Sequence, residues 1–162
     1  MGIQEAFGAL SAALDYPMFV VTAAADNERA GCLVGFATQC SLDPVRFAVF
    51  LSQNNRTYRV ARRSDVLAVH VLGADQVGLA ELFGSQTGDH VDKFSQCRWT
   101  PGRQGVPLLD NCPNRLVGWV IEVVNAGDHF GFVLDVVEAT ASDPGAPLMF
   151  RHVRDLEPGH LG

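Results

Sequence analysis

The chain has 162 residues, the length of a single domain. Apolar residues make up 48% and charged residues 19%, which provides for a hydrophobic core and excludes an intrinsically disordered protein. The formal net charge of −6 argues against a nucleic-acid-binding protein, and no apolar run approaches the ~20 residues of a membrane-spanning helix.

The N-terminal segment predicts a helix followed by a hairpin. An apolar stripe at four- and three-residue steps is typical of a helix, and its members are Ile3, Phe7, Leu10 and Leu14. Pro17 ends this pattern. Residues 18–24 and 30–40 are predicted to pair as strands across the polar turn Asp26-Asn27-Glu28.

The segment from Gly31 to Pro44 is dense in small and hydroxyl-bearing residues. Gly35, Ala37, Thr38 and Ser41 would leave the backbone open to a flat ligand, to which Thr38, Gln39 and Ser41 could donate hydrogen bonds. The alternative is an edge strand that runs into an Asp-Pro turn, and the pattern alone favours this alternative.

A third strand, predicted over 45–52, leads into the polar loop Ser52–Asn55 and a short helix from Thr57 to Ser64. A helix N-terminus attracts phosphate, and Arg56 or Arg59 could complete such a site. Four arginines lie within eight positions here: Arg56, Arg59, Arg62 and Arg63. Ordinary capping by Thr57, with the arginines in solvent, is an equally good interpretation.

The middle of the chain predicts a strand over 66–72 and a helix over 75–83 with Asp75 as its N-cap. His70 lies within the apolar strand, where a role in the core is expected. Residues 84–110 are irregular, apart from a predicted helical turn near Val91–Ser95 and a short strand near Arg98–Thr100.

Two long β-branched runs, 115–124 and 130–140, predict the clearest hairpin of the chain. Its connection contains Gly127-Asp128-His129, which suits a tight turn with an exposed histidine. His129 is nevertheless the one histidine whose setting suggests a functional role. From Arg151 onward the chain is polar, and we expect a loosely held tail over 151–162 after a domain over 5–150.

Several familiar signatures are absent from the sequence. It has no GxGxxG dinucleotide loop, no phosphate-binding GxxxxGK[ST], no nucleophile elbow and no spacing typical of a metal site. The N-terminus lacks the features of a signal peptide, so we expect a cytoplasmic protein whose four cysteines are reduced. Five to seven strands with few helices predict a mainly β fold, a closed or partly closed barrel.

Taken in order, these segments resemble the flavin reductase-like family, whose fold is the FMN-binding split barrel. The resemblance covers about residues 5 to 150. It rests on Gly31 to Pro44, Thr57 and its helix, Leu79–Phe83, Asp92-Lys93-Phe94, Gly127-Asp128-His129 and Pro147-Leu148. The chain departs from the family pattern at Val45, where a second proline is frequent, and at His70, where many relatives have asparagine.

The resemblance implies a homodimer that binds FMN or FAD in a cleft between subunits, with NADH or NADPH as co-substrate. The residues that it assigns to the flavin are Gly35, Phe36, Ala37, Thr38, Gln39 and Ser41 along the ring, Ser52, Asn54, Asn55, Arg56 and Thr57 at the ribityl phosphate, and Lys93 and Phe94 from the loop. It assigns His129 to the nicotinamide. No metal is implied.

The leading hypothesis is therefore an NAD(P)H-dependent flavin oxidoreductase, which can supply reduced flavin to a monooxygenase. Backbone N–H groups near Thr38–Cys40 would stabilise negative charge on the reduced ring. A second hypothesis is a module that binds flavin or deazaflavin without using NAD(P)H, since the sequence has no dinucleotide loop. A purely structural barrel ranks last.

Overall fold

The computed structural model describes residues 1–85, 92–143 and 145–156. Within them the helices are α1 (Ile3–Ser11), α2 (Arg56–Ala61) and α3 (Val77–Ser85). The strands are β1 (Phe19–Ala25), β2 (Glu28–Val34), β3 (Ala37–Ser41), β4 (Arg46–Ser52), β5 (Val66–Val71), β6 (Trp99–Pro101), β7 (Pro107–Leu109), β8 (Arg115–Asn125) and β9 (His129–Thr140).

Seven strands form one antiparallel sheet in the order β2-β1-β5-β8-β9-β4-β3. The sheet curls so that β2 also contacts β4, which is not its neighbour in the sheet, and α2 packs against β1, β2 and β4. Apolar side chains from these elements fill the interior, among them Val21, Val69 and Leu134. The prediction of a mainly β split barrel is confirmed.

The predicted first hairpin is confirmed in part. β1 and β2 pair in register from Phe19↔Val34 to Ala25↔Glu28. Asp26 and Asn27 both have positive φ, the conformation that a two-residue turn between twisted strands requires. The prediction of one strand over 30–40 is wrong, because the chain breaks after Val34 and β3 pairs with β4 instead.

Three element boundaries also differ from prediction. α2 begins at Arg56, and its N-cap is Asn55 rather than Thr57: the Asn55 side chain accepts the Thr57 N–H at 2.9 Å. α3 begins at Val77, two residues after Asp75. The turn predicted near Val91–Ser95 is a single 3₁₀ turn over Lys93–Ser95, while Val91 lies outside the described residues.

β7 was not predicted. It pairs with β6 in a small second sheet, with Trp99 opposite Leu109. The long hairpin of β8 and β9 is confirmed, from Arg115↔Thr140 to Asn125↔Phe130.

The two ends of the described chain behave differently. α1 is helical as predicted, but its apolar stripe is exposed along the whole helix. The expectation of a loosely held tail is wrong for residues 151–156, because Val153 is buried and Leu156 packs against the core cluster around Leu148. None of the described helices is long and apolar enough to cross a membrane.

Candidate functional site

A cavity of about 330 Å³ opens between the break after β2, the end of β4 and the tip of the β8–β9 hairpin. Sheet pairing brings these segments together although they are far apart in sequence. At the end of β4, Ser52 pairs with His129 of β9, and the Gln53 N–H donates to the Asp128 carbonyl at 2.9 Å. The segment after β2 joins β4 through the Phe50 N–H, which donates to the Phe36 carbonyl at 2.9 Å. Six of the residues predicted to bind the cofactor or substrate line this cavity: Gly35, Phe36, Ser52, Asn55, Lys93 and His129.

His129 is held in place by its two neighbours at the hairpin tip. Its Nδ1 lies 2.7 Å from Oδ1 of Asp128, and its ring lies 5.2 Å from the ring of Phe36. A carboxylate beside Nδ1 favours the tautomer with the proton on Nδ1, which leaves Nε2 as a hydrogen-bond acceptor. The turn predicted at Gly127 is present, with a φ of 137° that suits glycine.

Lys93 is almost completely buried, with 5% of its surface exposed. Its Nζ donates to the carbonyl oxygens of Gly31 and Phe83, at 3.1 and 3.0 Å. Burial lowers the pKa of Lys93, and the nearby Cys32 thiol opposes that shift. Burial also raises the pKa of Cys32, whose thiol is hydrogen-bonded to the side chains of Thr57 and Asn55.

The start of α2 reaches the cavity through Ser52 and Asn55. Asn54 is exposed, and its N–H donates to the Ser52 hydroxyl at 3.3 Å. Arg56 is directed to the other side, where its guanidinium binds Glu28 at 3.2 Å and the Arg29 carbonyl at 2.8 Å.

Two of the four arginines in the predicted cluster, Arg56 and Arg63, bind acidic residues at the β1–β2 hairpin. Arg63 binds Asp26 at 2.7 Å and Glu28 at 3.1 Å. Arg62 lies over the rings of Tyr58 and Phe130.

The residues of β3 lie outside the cavity lining. β3 is the last strand of the sheet, as the edge-strand alternative expects, and Thr38, Gln39 and Cys40 are exposed. The Thr38 hydroxyl donates to the Gln39 carbonyl, and the Gln39 amide donates to the Ser41 carbonyl. Ala37 pairs with Val49 of β4 and also lies outside the cavity.

Two further predicted residues lie behind the cavity wall. Thr57 lies on the buried face of α2 and contacts Cys32. Phe94 is buried between the rings of Phe83 and Trp99, at centroid distances of 5.6 and 5.7 Å. In this structure both residues support the site from the core.

One wall of the cavity comes from residues that the sequence analysis did not select. The ring of Tyr16 stacks on that of Phe150 at a centroid distance of 4.9 Å. On its other side Tyr16 contacts Phe36, whose ring in turn contacts that of His129. A Cβ at residue 35 would overlap the Tyr16 ring, so glycine is required there. Further lining residues come from the C-terminal segment: Val153, Arg154 and Leu156. Their one sequence signal is the three-residue spacing of Phe150, Val153 and Leu156.

Hydrogen bonds and an ion pair between Asp15 and Arg151 hold this C-terminal segment in position. Asp15 accepts the Arg151 backbone N–H at 3.0 Å and also binds the Arg151 guanidinium.

Among the residues that the structure describes, no three His, Cys, Asp or Glu side chains are grouped as a metal site.

The comparisons with known proteins agree on one family. The model of the flavin reductase like domain matches residues 11–157. The reductase component of 4-nitrophenol 4-monooxygenase/4-nitrocatechol 2-monooxygenase from Rhodococcus opacus is 31% identical over 131 residues, which cover 81% of this chain and 68% of that protein.

Two other similarities differ in how much of the known protein they cover. High molecular weight rubredoxin from Moorella thermoacetica is 24% identical over 148 residues, 90% of this chain, and the chain spans 65% of that relative's length. The solved structure of NADH:FAD oxidoreductase SgcE6 from Streptomyces globisporus C-1027 superposes with a TM-score of 0.82 at 22% identity, covering 91% of this chain and 87% of that one. This last likeness shows the fold.

Proposed function

The chain belongs to the flavin reductase-like domain family, and we propose on this premise that it transfers a hydride from NADH or NADPH to FMN or FAD. The observation that carries the proposal is the cavity between β4, the β8–β9 tip and the C-terminal segment, which combines apolar walls with His129, Asn55 and the buried Lys93. Few polar groups converging in an otherwise apolar cavity are typical of a cofactor site.

The residues of the cavity fit a flavin. Gly35 and Phe36 line the cavity and provide a small residue and an aromatic face for a planar ring. The outer edge of β3, the last strand of the sheet, is proposed to offer the ring those backbone N–H groups near Thr38–Cys40 that do not pair with β4. Ser52, Asn55 and Lys93 offer hydrogen-bond donors for the polar end. When bound, the flavin supplies the hydride acceptor, while the protein supplies alignment and electrostatics.

His129 is proposed to orient the nicotinamide. With Asp128 at Nδ1, the Nε2 lone pair can accept a hydrogen bond from the nicotinamide carboxamide, which fixes the ring relative to the flavin. Alignment of this kind is where a hydride-transferring protein contributes most to the rate.

The same site is proposed to lie in a homodimer. Large apolar side chains are exposed at and near β3, including Phe36 (54% exposed), Leu42 (81%) and Val45 (51%). Since large exposed apolar side chains are typical of an interface, a second copy is proposed to cover them and to close the flavin cleft. The proposed physiological acceptor of the reduced flavin is a monooxygenase component.

The proposal is tested by anaerobic absorbance spectra of the protein with FMN or FAD, before and after addition of NADH or NADPH. We expect bleaching of the flavin band and continuous nicotinamide oxidation in air. His129→Ala is expected to lower kcat/KM for the nicotinamide at least about tenfold, because one hydrogen bond and the alignment are lost.

Glu122→Ala is the matched control, since Glu122 is exposed on the same hairpin and outside the cavity lining. Absence of turnover with every pairing would contradict the proposed reductase. A flavin that stays bound and unbleached would favour the binding-module alternative, and unchanged kinetics of the His129 variant would remove that residue's role.

A further inference from the structure

A row of ring contacts runs along the cavity wall, from His129 at the β8–β9 tip to Arg154 in the C-terminal segment. The ring of His129 lies 5.2 Å from that of Phe36, which lies 6.3 Å from that of Tyr16. Tyr16 stacks on Phe150 at 4.9 Å, and the guanidinium carbon of Arg154 lies over the Phe150 ring, 6.0 Å from its centre. These contacts fix the order of the side chains, with His129 at one end of the row and Arg154 at the other.

Hydrogen bonds and burial hold the backbone at the Arg154 end of the row. The Phe150 N–H donates to the Tyr16 carbonyl at 2.8 Å, and the Val153 N–H donates to the Phe150 carbonyl at 2.9 Å. Val153, the residue before Arg154, is buried in the core cluster around Leu148. The backbone that carries Arg154 is therefore fixed beside the cavity, although the residue itself is exposed.

Arg154 brings to this wall a positive charge that no described carboxylate neutralises. Arg151, three residues earlier, is paired with Asp15, whereas Arg154 forms no ion pair with any Asp or Glu that the structure describes. A guanidinium stacks on aromatic faces, and its planar fork of donors matches the oxygens of a phosphate. This end of the row therefore suits a phosphate group attached to an aromatic ring system.

The order of the row indicates which phosphate this is. A nicotinamide dinucleotide whose nicotinamide is oriented by His129 has its adenosine at the far end of the molecule, and it can follow the row of rings towards Phe150 and Arg154. NADPH differs from NADH by a phosphate on the 2′ hydroxyl of this adenosine.

The charges of the cavity wall distinguish between the two nucleotides. Dinucleotide sites for NADH typically offer a carboxylate to the free 2′ hydroxyl, whereas an arginine accommodates the 2′-phosphate of NADPH. In the described part of the chain, the cavity lining contains Arg154 and no Asp or Glu. The wall therefore has the side chain that suits NADPH and lacks the one that suits NADH.

We propose that Arg154 binds the 2′-phosphate of the dinucleotide, so that the protein prefers NADPH to NADH. The proposal rests on the proposed function, because it takes His129 to orient the nicotinamide. Tyr16 and Phe150 then form the wall along which the adenosine lies, and the C-terminal segment determines which nicotinamide nucleotide the site selects.

The test compares kcat/KM for NADPH and for NADH, with FMN or FAD as acceptor, in wild-type protein and in Arg154→Gln. We expect wild-type protein to prefer NADPH about 10- to 100-fold, the range for hydrogen bonds to a charged group. Arg154→Gln should lose most of this preference through a higher KM for NADPH, because a phosphate remote from the hydride contributes equally to ground-state and transition-state binding. Its kcat/KM for NADH should fall far less, which also shows that the variant is folded.

Arg62→Gln is the matched control for this substitution. Arg62 is likewise an exposed arginine over aromatic rings, those of Tyr58 and Phe130, but it is outside the cavity lining. This variant should keep the wild-type ratio of the two kcat/KM values.

Calorimetric titration with adenosine nucleotides gives a second readout that needs no turnover. Wild-type protein should bind adenosine 2′,5′-bisphosphate at least about tenfold more tightly than adenosine 5′-monophosphate. Arg154→Gln should bind the two with nearly equal affinity, and equal affinity in the wild-type protein would contradict the assignment of the 2′-phosphate.

Equal kcat/KM values for the two nucleotides in wild-type protein, or a preference for NADH, would overturn the inference alone. So would a preference for NADPH that survives in Arg154→Gln, or an equal loss with both nucleotides, which would assign Arg154 to the phosphates that they share. Wild-type protein that oxidises neither nucleotide with either flavin would overturn the proposed function together with the inference.

Discussion

His70 is a buried polar residue whose hydrogen bonds are both satisfied inside the barrel. Its Nε2 accepts the Leu109 N–H at 3.0 Å, so its Nδ1 carries the proton and donates to the Val20 carbonyl at 3.0 Å. Burial lowers the pKa of His70 to about 4. The imidazole thereby joins β5 to β1 and β7 as a neutral side chain, which confirms its predicted role in the core.

The free energy of unfolding should depend on pH through this residue. The unfolded chain takes up a proton at His70 near pH 6.5 and the folded protein only near pH 4, so stability falls as the pH drops through this window. The full difference corresponds to roughly 3 kcal/mol. Urea unfolding of the wild-type protein and of His70→Asn between pH 4 and pH 7 measures how the free energy of unfolding depends on pH in each.

The expected result is a steeper loss of stability on acidification in the wild-type protein than in the variant, which has no titrating ring. Parallel pH profiles for the two proteins would contradict this explanation.

At the scale of elements, α2 is a helix of six residues whose position depends on its cap and its packing. So short a helix has little intrinsic stability. Asn55 caps it, while Thr57, Val60 and Ala61 bury one face against the barrel. The element that carries the polar end of the proposed flavin site is therefore fixed by one side-chain amide and by tertiary contacts.

Asn55→Ala should lower the free energy of unfolding by about 1 kcal/mol, the usual cost of losing an N-cap. It should also weaken FMN binding, since Asn55 lines the cavity. Asn54→Ala is the matched control, because that neighbouring side chain is exposed. Urea unfolding and FMN titration of both variants provide the measurement, and equal effects would argue against a special role for Asn55.

At the scale of the whole molecule, apolar surface remains uncovered on two parts of the described chain. One is the stripe on α1, and the other is the surface at β3 and the turn after it. The second adjoins the cavity through Phe36, which connects assembly to cofactor binding in the proposed dimer.

Leu42→Glu should convert the proposed dimer to monomer and weaken FMN binding, because a charge would be placed in an apolar interface. Size-exclusion chromatography with light scattering, followed by FMN titration, measures both effects. Val77→Glu is the control, since Val77 is a half-exposed apolar residue on α3. Wild-type protein that is monomeric at micromolar concentration would contradict the dimer.

Local sequence patterns predicted most of the strands correctly because their signal is local. Apolar runs, rich in β-branched residues in β1, β8 and β9, and the turn residues Asp26-Asn27 and Gly127-Asp128 determine where the chain extends and where it turns, within a few residues. The predicted ends of the helices and strands were less accurate than their existence and type. Asn55 and Thr57 are both good capping residues, and only packing of Thr57 into the core decides that Asn55 is the cap.

By itself, the sequence determined an acidic, mainly β chain of the flavin reductase-like family and the segments that carry polar residues. Only the tertiary structure decided which of those side chains share one cavity. Pairing of β4 with β9, and the hydrogen bond from Phe50 to Phe36, bring Ser52, His129 and Phe36 together, while β3 is left at the edge of the sheet. Tertiary packing also buries Lys93 and places residues 150–156 at the cavity. These outcomes depend on contacts between residues far apart in the chain, which no local pattern encodes.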